Sequence, residues 1–248
     1  LKLLLEHPKI DINKILIDRS NNTEEFLNPL YNAVSNKNIS IVKILLSHED
    51  IDVNLPYKII QNGNLFQNNA IHEAMTNDEI DLLKLLLSHP KIDINALEIE
   101  QNYKKFFHSE MSALAIAVEK GQENIVQLLL SHNGVDVNYR SFLENDKSKS
   151  YTPILHNAII KGNYNIVKYL LSNPKIDVNQ KSFYKTTNKE IIEIFEETAI
   201  NQAIIRENIE ILKLLLDHPQ INLNMKSKKN FIYPKRFLYW RKNSNKNS

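Results

Sequence analysis

Leu87-Ser88-His89-Pro90-Lys91-Ile92-Asp93-Ile94-Asn95 is one of six versions of a single phrase in this chain. It also appears as Leu5-Glu6-His7 running to Asn13, Leu46-Ser47-His48 to Asn54 and Leu130-Ser131-His132 to Asn138. The remaining two are Leu171-Ser172-Asn173 to Asn179 and Leu216-Asp217-His218 to Asn224. The closing asparagines are separated by 41, 41, 43, 41 and 45 residues. A fixed period in this range marks a stack of like supersecondary units. Each unit buries its face on its neighbours, so 248 residues need not divide into ordinary globular domains.

Each period holds two helical patterns. The first places apolar residues at i, i+3 and i+4, one stripe of a helix. Its copies are Leu30/Ala33/Val34, Ile71/Ala74/Met75, Leu114/Ala117/Val118, Leu155/Ala158/Ile159 and Ile200/Ala203/Ile204. The alanine at the middle position lets a neighbouring helix come close. The second pattern is denser, as in Ile41-Val42 with Ile44-Leu45-Leu46, or Leu82-Leu83 with Leu85-Leu86-Leu87. A helix apolar around most of its circumference has to be sandwiched. Between the two lies a tight turn such as Asn36-Lys37-Asn38 or Lys120-Gly121-Gln122, where Asn or Gly is expected to supply the left-handed residue. Pro90, Pro174 and Pro219 stop the second helix. The Asp-x-Asn step that follows predicts a short extended piece, its Asn bonding backbone within the turn.

The pattern resembles the ankyrin repeat, with its T-P-L-H-x-A opening, dense second helix and D-V-N close. The openings are Asn28-Pro29-Leu30-Tyr31-Asn32-Ala33, Asn69-Ala70-Ile71-His72-Glu73-Ala74 and Ser112-Ala113-Leu114-Ala115-Ile116-Ala117. Pro153-Ile154-Leu155-His156-Asn157-Ala158 and Thr198-Ala199-Ile200-Asn201-Gln202-Ala203 complete the set. The resemblance implies an all-α solenoid with hairpin-like fingers. Residues 1–13 form a partial repeat with only its second helix, and residues 14–224 form five repeats closing at Asn54, Asn95, Asn138, Asn179 and Asn224. Residues 225–248 are a basic aromatic tail. The period exceeds the family's ~33 residues. The surplus lies in residues 14–27, 55–68, 96–111, 139–152 and 180–197, which implies long, individually shaped fingers. The chain begins with Leu1 in a helix whose apolar face has no partner, so it is expected to be a piece of something longer.

Composition narrows the chemistry. There is no cysteine, which excludes disulfides, zinc knuckles and a catalytic thiol, and the expected location is intracellular, in the cytoplasm. No apolar run reaches the ~18 residues of a membrane span. The net charge of +2 conceals an asymmetry, because residues 225–248 hold eight Lys or Arg and no acid while the remainder has 23 bases and 29 acids. The recurrent His7, His48, His89, His132 and His218 cannot share a metal, since packed helices lie about 8–10 Å apart and zinc–nitrogen bonds are about 2 Å. They are expected to serve the helix C-terminus, bonding its free carbonyls or complementing its dipole. Asp52, Asp93, Asp136 and Asp177 meet the same objection as a calcium site. His72 and His156 fall on the turn histidine of the resemblance, which bonds backbone. Glu196 and Glu197 read as solvated acids beside a helical segment, 188–197. No catalytic constellation, metal site or cofactor is expected, and no small-molecule substrate.

The finger aromatics (Tyr57 and Phe66, Tyr103 with Phe106 and Phe107, Tyr139 and Phe142, Phe183 with Tyr184) are expected to pack finger against finger, with Phe106 and Phe107 buried. Phe231 to Arg241 interleaves aromatics with positive charge, the composition of a surface for nucleic acid or an anionic membrane, or of a terminal cap. The expected function is a protein-interaction scaffold whose partner is another protein. Alternatives are the targeting arm of a longer enzyme, and nucleic-acid or membrane binding through residues 225–248. The resemblance places variable groove positions just before the inter-helix turn, at Ser35 and Asn36, Thr76 and Asn77, Glu119 and Lys120, Ile160 and Lys161, and Ile205 and Arg206.

Overall fold

The computed structural model describes residues 10–20, 22–76, 79–188 and 191–232; for residues 188, 191, 231 and 232 it describes the backbone alone. The predicted helix pairs are present. They are α1 (Pro29–Ser35) and α2 (Ile39–Leu46), α3 (Ala70–Thr76) and α4 (Ile80–Leu87), and α5 (Ala113–Lys120) and α6 (Glu123–Leu130). Then come α7 (Ile154–Lys161) with α8 (Tyr164–Leu171), and α9 (Ala199–Ile205) with α10 (Ile209–Leu216). Side-chain oxygens of Asn28, Ser112 and Thr198 accept the third helical N–H of α1, α5 and α9, which starts each first helix at the end of its finger. Ala74, Ala117, Ala158 and Ala203 are fully buried where the first helices stack. Every second helix contributes a buried pair or triplet, such as Leu82, Leu83 and Leu86 or Ile166, Val167 and Leu170.

The turn after each first helix needs one left-handed residue. Gly121 and Gly162 supply it as expected, at φ 69° and 70°. In the first and last pairs it is Lys37 and Glu207, both at φ 55°, rather than asparagine or glycine.

The expectation of an all-α fold is wrong. Each finger is an antiparallel hairpin, and among the described residues the hairpins join into one 11-stranded antiparallel sheet in strict chain order. The strands are β1 (Leu16–Ser20), β2 (Thr23–Leu27), β3 (Tyr57–Gln61), β4 (Asn64–Asn68), β5 (Leu97–Asn102) and β6 (Phe107–Ser112). They continue with β7 (Arg140–Glu144), β8 (Ser148–Pro153), β9 (Lys181–Asn188), β10 (Ile191–Thr198) and β11 (Lys228–Ile232). Residues 191–197 are therefore strand, not helix. The fingers differ in length and tip, but they are not separate, since β2 pairs β3, β4 pairs β5, β6 pairs β7 and β8 pairs β9. A spacing match accounts for this. Two strands at about 4.8 Å span the same ~10 Å as one step of the helix stack, so a hairpin added per repeat arrives in hydrogen-bonding register with the last. The tail's first residues extend the sheet, with β11 on β10; residues 233–248, including Trp240, lie outside the described part.

The closing asparagines reach further than the turn. The side-chain Nδ2 of Asn54 donates to the Lys91 carbonyl, and its Oδ1 accepts from the Asp93 N–H, at 2.8 and 2.7 Å. Asn13, Asn95, Asn138 and Asn179 make the same pair of bonds to the following repeat, all at 2.7–2.8 Å. Asp52, Asp93, Asp136 and Asp177 accept the N–H of the asparagine two residues on, which orients it.

Replacing Asn138 by Ala leaves a carbonyl and an N–H of the next repeat unmet and should cost about 1–3 kcal/mol. Asn224, whose side chain has no partner among the described residues, is the control, and Asn224→Ala should stay within about 0.5 kcal/mol. Urea unfolding of the two variants checks both; equal costs would mean the asparagine acts only within its own turn.

Candidate partner-binding surface

Directly paired residues of a sheet point to the same side, and the sides alternate along each strand. One side looks onto the first helices. Tyr57 of β3 stacks on Tyr31 of α1 with ring centroids 4.1 Å apart and planes 5° from parallel. The Tyr57 hydroxyl donates to Glu25 at 2.6 Å, and that of Tyr31 to Glu73 of the next repeat at 2.7 Å. Burial first, then the carboxylate acceptors, hold both phenols well above the usual tyrosine range. Further along, Asn157 of α7 donates to Ser141 of β7. Between helices and sheet there is thus a groove, and acids gather in it: Glu25, Glu73, Glu98 and Glu100. Burial pushes the Glu98 carboxyl above its ordinary range, with Lys120 opposing and Glu100 adding to the shift.

The sequence-predicted positions fall at the C-terminal ends of the first helices. Ser35, Asn36, Thr76, Glu119, Lys120, Lys161, Ile205 and Arg206 are exposed. Ile160 is half-buried, Ile205 is 60% exposed, and Asn77 lies outside the described residues. Asn36 donates to the Asn32 side chain and carbonyl, and the Thr76 hydroxyl donates to the His72 carbonyl, so these two are tied to their own helices. Lys161 and Glu119 meet across the repeat boundary at 3.6 Å, an exposed pair of little energetic weight. Sequence reasoning missed Glu73 and Asn157, which face the sheet from the x position of the T-P-L-H-x-A opening. The signal was there: polar residues between a buried histidine and a buried alanine in two repeats.

The recurrent histidines among the described residues have a structural role, but with the opposite hydrogen-bond sense to that expected; His7 lies outside those residues. His48, His89, His132 and His218 each use Nδ1 to accept the backbone N–H two residues on, at 3.2–3.3 Å. Asn173 does the same with Oδ1, which explains why asparagine stands there. His72 and His156 are buried, with His72 Nδ1 2.8 Å from Asn69 Oδ1 and His156 Nε2 donating to the Gln180 carbonyl at 2.9 Å. Burial pushes each down to about 4, helped by Lys120 for His72 and by Arg140 for His156, while the Gln180 bond opposes it.

Of the finger aromatics, Phe142 and Phe183 take part in ring contacts that run from finger to finger, and Tyr184 meets Phe195 within its own finger. His108 meets Phe142 edge-on at 5.0 Å, Phe142 meets Tyr151 at 5.1 Å, and Tyr151 meets Phe183 at 6.1 Å, linking three successive fingers. Phe106 and Phe107 were expected to be buried; Phe107 is half-buried and Phe106 is 72% exposed. The 3-10 turn Tyr103–Lys105 ends on Phe106 in a left-handed conformation at the tip of its finger.

A stack of helix pairs carrying one hairpin per repeat defines a repeat solenoid with a composite face. The chain belongs to the ankyrin-repeat family: models of ankyrin repeats match residues 1–98 and 97–182, and again residues 155–216. Among solved structures it is similar to EF0377, an ankyrin repeat protein, with 21% identity and a TM-score of 0.53, covering 81% of this chain and 85% of that one. It is also similar to the ankyrin repeat domain of Bcl-3, a member of the IkappaB protein family, with 18% identity and a TM-score of 0.54, covering 80% and 74%. At these identities the likeness shows the fold. The comparison with curated proteins gives no match. Ankyrin repeats are protein–protein interaction modules.

The buried histidines make stability pH-dependent in a defined direction. Their folded pKa is depressed, so the unfolded chain takes up protons first as pH falls, and stability drops between about 6.5 and about 4. The ring resonances of His72 and His156 should not titrate between pH 7 and 5 in an NMR series. Titration near 6.5 would mean the rings are solvated.

Proposed function

We propose that this chain is a protein-interaction scaffold, without catalysis of its own, whose partner lies in the groove between the first helices and the finger sheet. One contrast within the chain carries the proposal. The inner stripe is nearly uniform, alanine at positions 33, 74, 117, 158 and 203, whereas the exposed rim just beside it differs in every repeat. Packing fixes the first, and the second is free to be shaped by what it touches. Ser35, Asn36, Thr76, Glu119, Lys120, Lys161, Ile205 and Arg206 form that rim with the half-buried Ile160, and Asn77 is assigned to it from the sequence alone. Glu73 and Glu98 set the charge of the floor. Two lysines of the basic tail, Lys228 and Lys229, belong to β11, and Lys229 lies over the Phe195 ring at 4.7 Å. Nucleic-acid or membrane binding through residues 225–248 is the second reading, and the groove is the better supported surface.

The double variant Glu119→Lys with Ile205→Ser changes two exposed side chains, so its thermal midpoint should stay within the equivalent of about 0.5 kcal/mol. Partner recovery by the immobilised array should fall severalfold against the unmodified chain. Unchanged recovery would move the binding surface off this rim.

A further inference from the structure

The finger sheet has a second side, facing away from the helices, and it carries a cleft that the groove does not use. Pairing between β6 and β7 begins at His108 with Glu144 and proceeds toward the helices, so beyond that pair the two finger tips splay apart. The gap is a cleft of about 600 Å³, lined by Gln101, Tyr103, Phe106, His108, Glu144 and Asp146 among others. Gln101, His108 and Glu144 are directly paired across β5, β6 and β7, which puts all three on the side opposite to Glu100 and Ser109.

Two observations set this tip apart. Tyr103 and Phe106 are 66% and 72% exposed, and Phe106 is the only aromatic residue among the described non-glycine residues with positive φ, at φ 48° and ψ 42°. A bulky side chain in the left-handed region is a strained choice, and strain held at an exposed position points to use rather than packing. The tip is also held in place. Asn102 Oδ1 accepts the Lys105 N–H at 3.0 Å, and the Tyr103 hydroxyl donates to Gln101 at 3.0 Å. On the facing finger, Asn145 Oδ1 accepts from the Lys147 and Ser148 N–H groups. A rim ordered before binding loses little entropy on binding.

The chemistry of the lining selects the occupant. On this same side of the sheet the chain already houses one cation in a comparable setting: the Lys149 ammonium lies 5.0 Å from the Phe142 ring centroid and 5.6 Å from that of Tyr151, with Glu144 at 3.5 Å. The cleft presents the same kinds of group, the rings of Tyr103 and Phe106 and Asp146, which stands at the tip where it lines both this cleft and the one on the opposite side and has no ion pair among the described residues. His108 Nε2 lies 3.0 Å from a Glu110 carboxylate oxygen, and Lys105 and Lys147 line the cleft on the opposite side of the sheet with Glu100. Lys104 is exposed on the turn and lines neither. We propose that this outer cleft is a second docking site, built to take an arginine or lysine side chain of a partner protein between the Tyr103 and Phe106 rings and the Asp146 carboxylate. Aromatic faces attract such cations, and aromatic–arginine pairs are frequent anchors of interfaces.

The probe is the capped peptide acetyl-Leu-Arg-Leu-amide, titrated into the full chain and followed by NMR, with acetyl-Leu-Glu-Leu-amide as its counterpart. The arginine peptide should shift the Tyr103, Phe106 and Asp146 resonances saturably, and the glutamate peptide should not. Phe106→Gly suits the left-handed backbone, so its thermal midpoint should hold or rise while the peptide Kd weakens at least about threefold, the worth of one cation–π contact. Asp146→Asn should weaken it by a similar factor. The rim variant Glu119→Lys with Ile205→Ser should leave this titration unchanged, which separates the cleft from the groove. Shifts confined to the groove, equal shifts with the glutamate peptide, or an unaltered Kd in Phe106→Gly would each overturn the proposal.

Discussion

A single carboxamide per repeat ties this molecule together. The closing asparagine offers a donor and an acceptor in the spacing of a peptide group, so it can stand in for one more residue of backbone against the next repeat. Aspartate would lack the donor for the Lys91, Gly134 or Lys175 carbonyls, and a longer side chain would misplace both atoms. The sequence separation between asparagine and its targets varies, yet the bonds stay at 2.7–2.8 Å. Length differences between repeats therefore have to be absorbed elsewhere. The two long periods fall where the finger carries the 3-10 turn of Tyr103–Lys105 and where β9 and β10 reach eight residues each. The repeat frame is rigid, and its variation is exported to the fingertips.

That division explains the sheet. Once helices and asparagines set the step between repeats, a hairpin of two strands fills it, and neighbouring hairpins meet with their N–H and C=O groups in register. An isolated hairpin is marginally stable in water, whereas here each one has a neighbour on both sides except at the ends. Exposed strand edges, a liability in any sheet, are reduced among the described residues to those of β1 and β11. Side-chain contacts reinforce the backbone pairing, as in the run from His108 through Phe142 and Tyr151 to Phe183.

What the sequence discloses follows from this physics. The helix pairs, their alanine stripe and the closing phrase were legible because burial imposes a 3.6-residue pattern and the pattern recurs. The sheet was not, because its strands are partly exposed on both sides and carry no strong alternation; Thr23-Glu24-Glu25-Phe26-Leu27 is half-buried throughout. Pairing between fingers is also a property of the repeat spacing rather than of any one segment. One local clue was available in Asn62-Gly63, a dipeptide that favours a two-residue hairpin turn, and both residues do have positive φ. For the binding surface, exposure at the helix ends could be read from the pattern, but the Tyr31–Tyr57 stack joins residues of different elements that no periodicity links. Phe106 misled for a physical reason: an aromatic residue is ordinarily worth burying, and only the turn geometry shows that this one cannot be.

The three connections between repeats act in parallel, through helix packing, the asparagine bridge and the strand pairing. Stability in a solenoid is a sum of unit and neighbour terms, and here the neighbour term is unusually well supplied. Strong neighbour coupling makes a unit costly to open on its own, because its helices cannot leave without also breaking two strand pairings and the bridge. A surface spread over several such repeats is then held in one arrangement before any partner arrives. Association with a preformed surface forfeits less conformational entropy than association with a flexible one, so modest contacts per repeat can add to useful affinity. The exposed residues, relieved of any part in holding the stack, are the ones free to differ, and they do so at both places where a partner can reach: the helix ends along the groove and the tips of the fingers.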